Sequence, residues 1–127
     1  MQDWLKMTAA ELGRGIAAGD IDPVALTQGY LDAIEGHPLK DRIYARTTGE
    51  RALAEAQAAS QRAAAGQRLS LLDGVPISWK DLFDTAGIAT EAGSRLLAGR
   101  VPDEDARVLA NATAAGLICL GKTHMSE

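Results

Sequence analysis

The stretch G-V-P-I-S-W-K-D-L-F-D-T-A-G, residues 74–87, opens on a short β-branched run and sets a lysine, Lys80, near the end of that run. Read with a period of two, Val75, Ile77 and Trp79 share one face, while Pro76, Ser78 and Lys80 share the other. One face is wholly apolar, and the other delivers a cation from a buried type of strand. A snorkelling lysine, with its stem packed and its ammonium in water, satisfies that pattern. So does a strand-end lysine desolvated enough to act as a base. The stretch alone leaves both open. Asp81 falls on the face opposite Lys80, which makes it a poor direct partner despite its adjacency.

Outward from this strand the chain reads as helices alternating with strands. Thr8-Ala9-Ala10-Glu11 is a capping box, Leu12 and Ile16 follow at helical spacing, and Gly19 suits the residue after the helix. Asp22-Pro23 restarts the chain as N-cap and first helical residue. Val24, Leu31 and Ile34, with Leu26 and Tyr30 beside them, line a second helix ending near Gly36. Arg42-Ile43-Tyr44-Ala45-Arg46 alternates like a short strand. Thr47-Thr48-Gly49-Glu50 offers a second capping box, opening an alanine-rich helix to about Gly66. Its Ala52, Ala56, Ala59 and Ala63 allow close approach but bury little area.

Beyond Lys80, residues 84–87 form a turn, and Gly93-Ser94 marks another. The acids in Val101-Pro102-Asp103-Glu104-Asp105 suit a solvated helix start, complementing its dipole. Ala106, Leu109 and Thr113 form that helix's inward stripe, and Gly116 ends it. Leu117-Ile118-Cys119-Leu120 is a wholly apolar run of the kind found in buried parallel strands. It is expected to pair in parallel with the strand around residues 75–79, the intervening helix supplying the crossover. The class is α/β.

Composition narrows the function. With 127 residues, 46% hydrophobic and 24% charged, the chain has the makeup of an ordinary globular domain. A net charge of −4 leaves no basic footprint for direct nucleic-acid or anionic-membrane binding. No stretch approaches the ~20 apolar residues that span a bilayer. Residues 1–4 show neither the cationic nor the apolar part of a secretory signal. The single cysteine, Cys119, cannot form an internal disulfide. Together these point to a reducing compartment, most simply the cytoplasm.

Residues 116–123 satisfy G-x-x-x-x-G-K-[ST], the phosphate-loop pattern. That loop needs a strand before its first glycine and a helix opening at its lysine. Here a helix precedes Gly116 and the four intervening residues are themselves the strand, so nucleotide binding through Lys122 is rejected. His37, His124 and Cys119 show no metal-ligand spacing. Ser78 lies about 6.5–7 Å from Lys80 along the same strand face. Neither it nor Ser94, in A-G-S, has the surroundings of a nucleophile, and both are read as structural.

As an ordered set, residues 74–87, T-E-A-G-S at 90–94, D-A-R-V at 105–108 and A-G-L-I-C-L-G-K-T-H-M-S-E at 115–127 resemble the amidase signature family. The two opening helices extend the resemblance over essentially the whole chain. It implies a serine amidohydrolase with a Ser–cis-Ser–Lys triad, and its lysine maps onto Lys80. The nucleophilic serine attacks a carboxamide, forming an acyl-enzyme, and the cis serine relays the proton to the lysine. The family's serine-bearing Gly/Ser-rich segment lies downstream of G-K-T-x-M-x-E, and its usual Asn is His124 here. The resemblance therefore implies an N-terminal portion of an α/β amidase fold, with helices covering a mixed or parallel sheet of few strands. Residues 1–38 are the N-terminal helical pair and residues 39–127 the start of the core.

Lys80 is the one catalytic residue carried over, and neither metal nor organic cofactor is implied. The expected substrate is a small amide of the intact enzyme, with the chain inactive alone. Its expected associations are with itself or with the C-terminal part. Two other functions stand beside this one: the glutaminase subunit of a tRNA-dependent amidotransferase, and a non-catalytic binding or structural module.

Overall fold

The computed structural model describes residues 2–125, so Ser126 and Glu127, the last two residues of the quoted 115–127 motif, lie outside the described residues. After a 3-10 turn at Gln2–Lys6, the elements are α1 (Ala9–Ala17), α2 (Pro23–Glu35), α3 (Lys40–Ile43), β1 (Tyr44–Thr47) and α4 (Gly49–Ala64), followed by β2 (Pro76–Lys80), α5 (Arg107–Ala114) and β3 (Ile118–Thr123). The three strands form one mixed sheet in the order β1-β3-β2. The β2–β3 pair is parallel, with Lys80 opposite Thr123, and the β1–β3 pair is antiparallel. The parallel pairing expected from the two apolar runs is present, with α5 within its crossover. No helix among the described residues is long and apolar enough to cross a membrane.

Local chemistry sets the helix starts. The Thr8 hydroxyl accepts from the Glu11 amide and the Glu11 carboxylate accepts from the Thr8 amide, completing the expected capping box. Asp22 caps α2, with Pro23 in its first turn. These helices bury Leu12, Ile16, Ile21 and Leu26 with Val75, and Trp4, Tyr30 and Leu72 pack around them. A second cluster sets Ala52 and Ala56 of α4 against Ile118 of β3. The small alanines let α4 lie close to the central strand, as their spacing suggested.

Several expectations need correction. The strand expected at 42–46 begins only at Tyr44, because residues 40–43 make one helical turn first. Thr47-Thr48-Gly49-Glu50 is not a capping box. Thr48 is the N-cap but makes no side-chain cap bond, and its buried hydroxyl donates instead to the Cys119 carbonyl at 2.7 Å. The tie to the neighbouring strand outcompetes the local cap. The acidic run at 103–105 does not start α5, which begins at Arg107. Asp105 is drawn off the helix by a bidentate pair with Arg51, at 2.9 and 3.0 Å, and by the Ala86 amide at 2.8 Å. Finally, β3 continues past its apolar run through Gly121, Lys122 and Thr123.

Candidate active site

Lys80 ends β2, and Thr123 opposite it ends β3. Ligands of open α/β sheets bind outside such carboxyl ends of parallel strands. The Lys80 side chain is exposed, and its ammonium lies 3.5 Å from the His124 carbonyl. Beside it the Ser78 and Tyr44 hydroxyls share a hydrogen bond of 2.6 Å. Tyr44 can reach Ser78 because residue 121 is glycine. A Cβ there would meet Tyr44 Cδ1 at 3.1 Å and the Arg46 carbonyl at 2.8 Å. Gly121 thus serves the close approach of β1 to β3, a role foreign to a phosphate loop.

Inward from Lys80 the next residue, Asp81, is only 3% exposed. Its carboxylate pairs with Arg46 of β1, accepts the Glu91 amide at 3.3 Å, and faces the Lys122 ammonium at 3.5 Å. Lys122 is fully buried, at 0% exposure, and donates to the Phe83 carbonyl and the Thr90 hydroxyl, both at 2.9 Å. Burial pushes the Lys122 ammonium below the ordinary lysine range, and the neighbouring Asp81 carboxylate opposes that shift. Arg46 also reaches the Ala89 carbonyl at 2.8 Å and Glu91 at 3.2 Å. A segment with little regular structure is thereby tied to the sheet by charged side chains.

The remaining sequence candidates occupy structural positions. Ser94 caps a 3-10 turn through the Leu96 amide. His37 accepts the Leu39 amide within a turn, at 3.0 Å. The His124 ring bonds the Asp41 carbonyl at 2.8 Å while its amide donates to Ile43, fastening the end of β3 to α3. Cys119 is buried, which raises its thiol, so it is no ready thiolate at neutral pH. Among the described residues no three His, Cys, Asp or Glu side chains converge as a metal site would require. Sequence reasoning missed Lys122 as a buried charge. The available signal was a lysine extending an apolar run, in a strand expected beside the one that leads into Asp81.

Residues 25–127 match the family described as Amidase. The chain belongs to the amidase family. This amidase chain is 40% identical over its full length to the glutamyl-tRNA(Gln) amidotransferase A subunit of Streptomyces coelicolor, covering 26% of that protein. It is 45% identical over 94% of its length to the corresponding A subunit of Marinobacter nauticus, covering 24% of that one. Among solved structures it is similar to the native peptide amidase from Stenotrophomonas maltophilia, with a TM-score of 0.84 and 33% identity over 92% of this chain and 24% of that one. The chain thus spans about a quarter of the length of the relatives it matches.

Proposed function

We propose that this amidase chain supplies the catalytic base, Lys80, of an enzyme that hydrolyses carboxamides through an acyl-enzyme. The observation that carries this reading is the placement of Lys80 at the carboxyl end of a parallel strand, with its ammonium free of any carboxylate ion pair among the described residues. By the family resemblance, the serine that attacks the carbonyl lies in a segment following the 115–127 motif. A second serine passes the proton to Lys80, which returns it to the leaving amine. The serine nearest Lys80 on its strand, Ser78, is engaged by Tyr44 and is not that nucleophile. The reading includes a cytoplasmic location and no metal or organic cofactor. The similarity to two amidotransferase A subunits favours, as a second reading, ammonia release from glutamine within a complex.

The test is a splice in which residues 1–127 replace the matching quarter of the peptide amidase or of one of the two amidotransferase relatives. Amide hydrolysis is expected, and Lys80→Ala should reduce kcat by about a hundredfold or more, the worth of a general base. Ser78→Ala should leave most of the activity. The 127-residue chain by itself should release no more ammonia than its own Lys80→Ala variant. Full activity in spliced Lys80→Ala would remove the base assignment. Release of ammonia from glutamine but not from peptide amides would favour the second reading.

A further inference from the structure

The proposed reaction makes no use of the buried charges beneath Lys80. Asp81 is held through both main-chain and side-chain atoms. Its amide donates to the Thr123 carbonyl and its own carbonyl accepts the Ala92 amide, each at 2.9 Å. Its carboxylate takes Arg46, the Glu91 amide and, at 3.5 Å, the Lys122 ammonium. One residue therefore joins β1, β3 and the 89–92 segment at the point where β2 ends. Lys122 in turn binds the segment on either side of that junction, through Phe83 and Thr90. Nearby, the Trp79 and Phe83 rings meet edge to face with centroids 5.4 Å apart. Ala92 adopts a left-handed φ of 50° and Gly93 one of 66°, a conformation costly for alanine that persists only where its surroundings enforce it.

Apolar side chains of similar volume would stabilise this junction about as well, since desolvating buried ions offsets much of their attraction. Packing lacks direction, however, and directed hydrogen bonds fix an angle as well as a distance. Lys80 stands one residue from the anchor and on the opposite side of the strand, so its side chain leaves from a backbone that cannot tilt unless Asp81 moves.

We propose that Asp81 is a positioning residue for Lys80, and that buried Lys122, beside the direct partner Arg46, is a counter-charge that holds Asp81 in place. This rests on the reading of Lys80 as the base, but its test uses no hydrolysis. In the 127-residue chain, acetylation of Lys80 by acetic anhydride is measured relative to Lys6 in the same molecule by peptide mass spectrometry. Amide exchange is followed at Asp81, Glu91 and Ala92, with α2 and α4 as reference. In Asp81→Asn and in Lys122→Met the Lys80-to-Lys6 ratio should change about threefold or more, and the three local amides should exchange about tenfold faster or more, while α2 and α4 keep wild-type rates. The double variant should add little to either single one, because the pair acts as a unit.

Thr90→Val keeps the volume and deletes one acceptor of the Lys122 ammonium. It should give the same local pattern more weakly, and it decides the matter if circular dichroism shows either charge variant unfolded. Unchanged labelling and local exchange in the folded variants would overturn the proposal. So would acceleration spread equally over α2 and α4, which would mean the cluster serves general stability alone. Loss of the base assignment in the spliced enzyme would leave these measurements standing, so the two proposals fail separately.

Discussion

In the layer formed by α1, α2 and the residue preceding β2, Leu12, Ile16, Ile21, Leu26 and Val75 close over one another, and polar groups serve mainly as helix caps. Residues 81–105 contain only one 3-10 turn and an isolated bridge between Thr85 and Ile88. There Arg46, Lys122 and Arg100 bind carbonyls of the segment, and Asp105 accepts its Ala86 amide. Apolar burial is tolerant of angle, so the helical layer gives bulk stability. Directed charges tolerate little displacement, so the segment beside Lys80 gains a defined shape without a core of its own.

The comparison breaks most visibly at Leu26, which has 0% exposure. Leu26→Ala should cost about 3 kcal/mol of global stability, read from urea denaturation, since a fully buried leucine leaves a cavity. Its effect should appear equally in every exchange-protected amide of α1, α2 and α4. A loss confined to residues 81–105 would mean that the two regions are not held as described.

Asp105→Asn should act in the opposite sense. The Arg51–Asp105 pair is about one-fifth exposed on both sides, between a surface bridge and a buried one. A loss of about 2 kcal/mol is therefore expected, larger than a surface pair gives and smaller than a buried one. Exchange should quicken first at Ala86 and its neighbours. Uniform quickening across the helices would contradict the division.

The same carboxylate gives a pH signature. Hydrogen bonding from Arg51 holds the Asp105 carboxyl below the usual carboxylate range, although burial opposes it. A group whose folded pKa is depressed contributes fully above its unfolded value, about 3.9, and loses that contribution as pH falls through the folded value. Wild-type stability should therefore drop more between about pH 5 and pH 3 than that of Asp105→Asn. Parallel curves for the two proteins would show that the pair adds nothing to acid sensitivity.

The smallest effect sharpens the helical side. Thr8→Ala removes an exposed capping box at the start of α1 and should cost about 1 kcal/mol. Thermal denaturation is sufficient to read it. A change larger than that of Asp105→Asn would place more of the stability in local caps than in charged cross-links.

This contrast also sets what could be read in advance. The caps at Thr8 and Asp22 and the helices they open follow from residues within four positions of one another, and the pairing of the two apolar strands, though distant in sequence, was legible from their apolar runs and the helix between them. The Thr48 hydroxyl faced a choice between its own helix and Cys119, 71 residues away, and nothing local reveals which acceptor wins. Asp105 looked like a solvated helix start because its partner, Arg51, lies 54 residues earlier. Lys122 was visible as a lysine in a motif but not as a buried charge, since its partners in residues 81–90 meet it only once the sheet has formed. The position of Lys80 at a strand end was legible; its support beneath the strand was not.

The strand order β1-β3-β2 has a consequence for how the chain acquires its shape. The middle strand is the last of the three to be synthesised, and the outer two are not paired with each other through their backbones. A growing chain that has released β1 and β2 therefore has no sheet to make and must wait for residues 118–123 to emerge. Meanwhile α1, α2 and α4 can pack, because their contacts lie closer in sequence. Pulse-labelling during refolding should find α2 and α4 protected before β3, with closure of the sheet as the slow step. Simultaneous protection of all three would mean that the helices wait for the strand.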